Sequence, residues 1–147
     1  RLAFKRLDAA MRTKLENSFA WHDYGHSREK IAPGLASHEE RAALPPQCWR
    51  MVWKNPVNGR SAIYLASHAY AVEGMEPAAG KQLIDDLTAA ATAPGTNYVH
   101  EWKRGDVVMW DNRATMHRAR SFPHDEPRDV RRTTLMGTAP TVAQQAP

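Results

Sequence analysis

A chain of 147 residues falls within the size range of one domain able to bury a core without covalent staples, and its single cysteine, Cys48, excludes a disulfide framework and any multi-cysteine zinc site. Twenty Lys and Arg against sixteen Asp and Glu give a formal charge of +4 and a pI near 9.5, yet the two signs interleave along most of the chain, which argues against a dedicated polyanion surface. No run approaches the roughly eighteen apolar residues that cross a bilayer, and RLAFKRLDAA lacks the apolar centre of a secretion signal, so a reducing, cytoplasmic setting with no membrane and no nucleic-acid partner is expected.

In chain order, Leu7, Met11, Leu15 and Phe19 recur every fourth residue with Ala10 on the same face, which predicts one amphipathic helix over residues 7–22. Residues 23–46 then lose all periodicity and read as a loop or lid excursion. Within it, Ser37-His-Glu-Glu40 spells a capping box that would start a short helix ahead of Pro45-Pro46. CWRMVWK (48–54) and SAIYLA (61–66) flank the turn-rich Asn55-Pro-Val-Asn-Gly59, the pattern of a β-hairpin. Pro77 suits the first turn of a second helix over 77–92, with Leu83, Ile84, Leu87 and Ala91 on one face and Pro94-Gly95 closing it. YVHEW (98–102), VVMWD (107–111) and RRTTLMG (131–137) read as strands, and residues 139–147 as a flexible tail. The expected class is mainly β with flanking helices.

His117 follows the strand-like run that ends in Trp-Asp-Asn, and Arg128 and Arg132 stand eleven and fifteen residues beyond it. On a returning strand Arg128, Val130, Arg132 and Thr134 share one face, so both guanidinium groups would enter the space beside the histidine. A neutral imidazole suits a first-row transition metal, and guanidinium forks suit carboxylates through paired charge-assisted bonds. Taken singly, His117 reads as a core or edge histidine satisfied by a carbonyl, and the arginines as solvated strand charges; it is their shared parity that makes a site. A one-residue slip of register would exchange Arg131 for Arg132. Trp110 and Met109 read as core residues, Asp111 and Asn112 as turn formers, and His68 as either pocket-lining or structural. His22, His26 and His100 have no partner by spacing, and Cys48 reads as a buried thiol rather than a reactive one.

Asn55-Pro-Val-Asn-Gly-Arg60, Ala66-Ser-His-Ala69 with Glu73-Gly-Met75, Gly105-Asp106, Trp110-Asp-Asn-Arg113, Met116-His117 and Arg131-Arg-Thr-Thr134 together resemble the C-terminal part of the iron(II)- and 2-oxoglutarate-dependent dioxygenases of the taurine and chlorophenoxyalkanoate type. That resemblance implies a partial double-stranded β-helix, or jelly roll, with residues 1–138 forming the C-terminal part of one such domain. It implies Fe(II) on a two-histidine-one-carboxylate triad, with His117 as the distal histidine ligand. Arg128 is then the clamp for the distal carboxylate of 2-oxoglutarate, and Arg132 the partner of the anionic group on a small organic substrate. Molecular oxygen is the co-reactant, and the outcome is hydroxylation of the substrate, with heteroatom cleavage where the hydroxylated carbon bears a leaving group. No other residue is assigned to catalysis, and a homo-oligomer is left open.

The sequence departs from the family pattern in lacking the His-x-Asp or His-x-Glu strand that supplies the other two ligands. Its two His-x-acid spellings, His38 with Glu40 and His124 with Glu126, fall in the capping box and in the loop before Arg128. The expectation is therefore a chain that forms the C-terminal portion of the enzyme and is incomplete alone. Two alternatives are a jelly-roll fragment with a structural or interaction role, and a basic nucleic-acid-binding module using Arg113, Arg118, Arg120, Arg128, Arg131 and Arg132. The second lacks interleaved aromatics and any helix-turn-helix pattern.

Overall fold

The computed structural model describes residues 1–123, 125 and 127–135. The chain opens with α1 (Leu2–Arg6) and α2 (Ala9–Glu16), continues through β1 (Phe19–His22), and enters α3 (Tyr24–Glu29) and α4 (His38–Ala43). The strands β2 (Gln47–Arg50), β3 (Val52–Lys54), β4 (Ser61–Ile63) and β5 (Ala69–Val72) follow, and then α5 (Pro77–Ala91).

The single helix expected over 7–22 is two short helices and a strand. Leu7 is extended, and the Asp8 carboxylate accepts the Met11 N–H at 2.7 Å, so Asp8 starts a fresh helix instead of continuing α1. That helix ends at Asn17, and Phe-Ala-Trp-His becomes the central strand of a sheet, where a strand neighbour on each side outweighs helical spacing. The apolar periodicity still serves the core: Leu15 is fully buried, and Leu7 and Met11 pack against the same cluster.

The excursion at 23–46 is more ordered than a bare loop. The Asp23 carboxylate accepts the N–H groups of Gly25 and His26 to cap α3, and Ser37 and Glu40 form the expected capping box on α4. The Tyr24 hydroxyl donates to Glu40 at 3.1 Å, Arg41 pairs with Glu29, and the Ser27 hydroxyl bonds His68 Nδ1 at 2.8 Å. These contacts fasten both helices to each other and to the start of β5.

The run 48–54 is likewise divided. β2 pairs antiparallel with β1, whose other neighbour is β5, giving the order β2-β1-β5. β3 turns away to form the hairpin with β4, in register Val52↔Ile63, Trp53↔Ala62 and Lys54↔Ser61. Met51 is the pivot between the two sheets: its N–H donates to Ser18 O at 2.9 Å, its carbonyl accepts the Tyr64 N–H at 2.7 Å, and its side chain is wholly buried. The hairpin loop is held by Asn55, whose side-chain oxygen accepts the N–H groups of Val57 and Asn58, and by Gly59 at φ +66°.

α5 follows its sequence closely. Glu76 caps it through the N–H groups of Ala78 and Ala79, Pro77 occupies the first turn, and Leu83, Ile84 and Leu87 are buried. Gly80 brings the helix down onto β5, because a Cβ there would lie 3.1 Å from Val72 N and 3.4 Å from Val72 Cβ. Gly80→Ala is therefore expected to lower stability by roughly 1 kcal/mol, since crowding against a ladder backbone exceeds the helix-propensity gain. A raised denaturation midpoint would contradict the close packing.

Beyond α5 the expectation fails in part. No strand forms at 98–102 or 107–111, nor at 131–135, the described part of 131–137. A ladder requires a neighbouring backbone with matching donors and acceptors, and within the described residues none pairs with these segments. Their apolar side chains accordingly face solvent: Val107, Met109 and Leu135 are 90%, 87% and 82% exposed. The tail assigned to 139–147 lies outside the described residues. No helix among those described is long and apolar enough to cross a membrane.

Candidate functional site

The segment that carries His117 is built on a tight turn. The Asp111 carboxylate accepts the Arg113 N–H at 3.0 Å and its Nε–H at 3.2 Å, and the Asp111 carbonyl accepts the Ala114 N–H at 3.1 Å. The Arg113 guanidinium lies 4.9 Å over the ring of Trp53 on β3, and Arg1 reaches the second Asp111 oxygen at 3.7 Å. Trp53 is 2% exposed, so the turn is anchored to the core. Asp111 thus fixes the turn, as expected, while the Asn112 side chain accepts the Trp110 Nε1–H at 2.7 Å. Trp110 is only half-buried and packs its ring against His117 at 4.9 Å rather than filling a core, while Met109 is exposed.

His117 is solvent-exposed, as are Arg128 and Arg132. Arg128 lies 4.6 Å over the Phe122 ring, and Arg131 pairs with Asp129 at 3.7 Å. Among the described residues no hydrogen bond, ion pair or ring contact joins His117 to either arginine. All three candidates are exposed, and among the described residues nothing draws them together into a pocket.

For a metal, His117 fits as one donor, since among the described residues no hydrogen bond occupies its ring nitrogens. No group of three His, Cys, Asp or Glu side chains able to hold an ion comes together among the described residues. His38 and Glu40 do not form a ligand pair: the Glu40 carboxylate accepts the Ser37 N–H at 2.9 Å and the Tyr24 hydroxyl, and is committed to the cap. His124 and Glu126 lie outside the described residues. The donor set among the described residues is short of a metal centre.

Two polar clusters escaped sequence reasoning. His22 is largely buried in β1, its ring 5.7 Å from Tyr64 and its Nε2 without a hydrogen-bond partner among the described residues. Burial, reinforced by His68, pushes its pKa down from 6.5 to about 4. His68 and His26 are lowered too, chiefly by burial, and His68 is structural through Ser27. Burial also pushes the Cys48 thiol up, as suits an inert cysteine. The second cluster joins Tyr98 Oη to His100 Nδ1 and His100 Nε2 to Asp106, both at 3.0 Å, with Trp102 edge-on to the imidazole. The alternation Tyr98, His100, Trp102 was the available signal; the return of Asp106 depends on the Gly105 turn.

His22 gives stability a defined pH dependence. The unfolded chain takes up a proton near pH 6.5 that the folded chain refuses until about pH 4, so stability is full above 6.5 and falls as pH drops toward 4. The loss should approach roughly 2–3 kcal/mol. Denaturant midpoints at pH 7, 5.5 and 4.5 check this against His22→Phe, which keeps the contact with Tyr64 and should flatten the slope. Equal slopes would remove His22 as the cause.

The model of the taurine catabolism dioxygenase TauD, TfdA family matches residues 1–134. The chain belongs to that family. It is 35% identical over 137 residues to the alpha-ketoglutarate-dependent 2,4-dichlorophenoxyacetate dioxygenase of Burkholderia sp. (strain RASC), covering 93% of this chain and 46% of the relative. It is 34% identical over 139 residues to the enzyme of the same description from Cupriavidus pinatubonensis, covering 95% and 48%. Among solved structures, AAD-2 in complex with Mn(II) and N-oxalylglycine superposes with a TM-score of 0.88 at 40% identity, covering 96% of this chain and 56% of that one. A taurine dioxygenase from Burkholderia xenovorans, at 24% identity and TM-score 0.61 over 77% of this chain and 35% of that one, shows a likeness of fold. The chain spans about half the length of the curated relatives it matches.

Proposed function

We propose that this chain forms the C-terminal portion of an iron(II)- and 2-oxoglutarate-dependent oxygenase that uses molecular oxygen on a small anionic organic substrate, with residues 1–138 belonging to one jelly-roll domain. The observation that carries this reading is the family match across residues 1–134, which takes in His117, Arg128 and Arg132 at their spacing of eleven and four. In this reading His117 offers one imidazole nitrogen to the metal. Arg128 holds the distal carboxylate of 2-oxoglutarate, and Arg132 holds the substrate's carboxylate or sulfonate through a planar two-donor fork. The relatives named for 2,4-dichlorophenoxyacetate make aryloxyalkanoic acids the first substrate class to assay.

The test is formation of succinate from 2-oxoglutarate by the intact protein that carries these residues, with iron(II), against aryloxyalkanoates, alkyl sulfonates and simple carboxylates. Turnover that needs 2-oxoglutarate and one of these acids is expected; no consumption of 2-oxoglutarate with any of them would end the reading. Because one imidazole cannot hold a labile divalent ion against its hydration, anaerobic titration of the 147 residues alone should give weak iron(II) binding. Tight stoichiometric binding would reveal a donor set elsewhere in the chain.

A further inference from the structure

Trp110 and His117 stand seven residues apart, yet their ring centroids are 4.9 Å apart with the planes inclined by 48°. The indole is itself held, because Trp110 Nε1–H donates to Asn112 Oδ1 at 2.7 Å. The turn between them is fixed in its own right through Asp111, Arg113 and the buried ring of Trp53. His117, by contrast, is exposed and lies outside any strand, and among the described residues no hydrogen bond reaches its ring. A ligand histidine is ordinarily oriented by a hydrogen bond to its second nitrogen. Here the described contact made by the imidazole is with the ring of Trp110.

We propose that Trp110, pinned by Asn112, is the positioning residue that selects the side-chain rotamer of His117. The significance of that rotamer rests on the reading of His117 as a metal donor; the contact does not. Without the indole, the imidazole of an exposed residue samples the other staggered wells. Asn112 acts one step further out, by denying the indole its own rotation. Arg113 belongs to the turn's anchorage to β3, so it moves the whole unit rather than the imidazole alone.

The experiment uses the full 147-residue chain without metal and follows two signals of His117: the ring-current displacement of its imidazole protons by nuclear magnetic resonance, and its rate of carbethoxylation by diethylpyrocarbonate, read by peptide mass mapping. Trp110→Leu is expected to abolish the displacement and to raise the rate at His117 about two- to ten-fold, the factor matching loss of one aromatic pair. Trp110→Phe should preserve most of both signals, and Asn112→Ala should fall between. The buried His22 reports on the fold, and its rate should not change. If His22 becomes reactive in Trp110→Leu, that variant has unfolded and Asn112→Ala decides: a change confined to His117 supports the proposal, and none overturns it. Unchanged His117 signals in a folded Trp110→Leu overturn it directly. His117→Ala in the intact protein, assayed for 2-oxoglutarate turnover, tests the metal reading separately.

Discussion

Arg128→Gln, in the intact protein that carries these residues, is expected to raise the apparent Michaelis constant for 2-oxoglutarate and to slow turnover with every substrate. A desolvated carboxylate that loses its charge-assisted partner forfeits roughly 2–5 kcal/mol. Arg132→Gln should leave cosubstrate binding intact and weaken the primary substrate, allowing 2-oxoglutarate to be consumed without product. The division follows from the alternation expected of a returning strand, on which Arg128 and Arg132 would share one face and Arg131, paired with Asp129 at 3.7 Å, the other. Arg131→Gln is thus the control, with little kinetic effect. Steady-state constants for both ligands distinguish the three variants. A common pattern for Arg128 and Arg132, or sensitivity at Arg131, would require a shifted register.

The largest effect on stability is expected at Met51. Its side chain is wholly buried, and its backbone joins the two sheets through Ser18 and Tyr64. Both neighbouring strands are fixed by their own ladders, so the site collapses poorly when emptied, and Met51→Ala should lose roughly 2–5 kcal/mol. Val57→Ala, in the hairpin loop at 91% exposure, should stay within about 0.5 kcal/mol. Denaturant unfolding of the two variants measures the contrast. A small loss at Met51 would mean that the sheets are joined elsewhere.

The contrast between Met51 and α5 also shows what could be read from the sequence and what could not. α5, the capping box at Ser37 and Glu40, and the hairpin around Asn55 are set by local chemistry, and each stands where its residues place it. Asp8 and Met51 divide segments whose periodicity looked continuous, because a side-chain cap in one case and a change of strand partner in the other override the pattern. The segments at 98–102 and 107–111 have strand composition, but a strand is a property of two chains side by side, and among the described residues neither segment has a ladder partner. At the candidate site, sequence spacing singled out His117, Arg128 and Arg132. The hold of Trp110 on His117 was not legible, since a tryptophan at the end of an apolar run reads as core until its ring is seen against the imidazole.

The most direct test of the central claim is a crystal structure of the intact protein that carries these residues, with Mn(II) and N-oxalylglycine bound. The expected result is His117 on the metal, Arg128 forked onto the distal carboxylate of N-oxalylglycine, and Arg132 facing the adjoining substrate space. His117 turned away from the metal, or the carboxylate held by Arg131 or by a residue outside this segment, would contradict it.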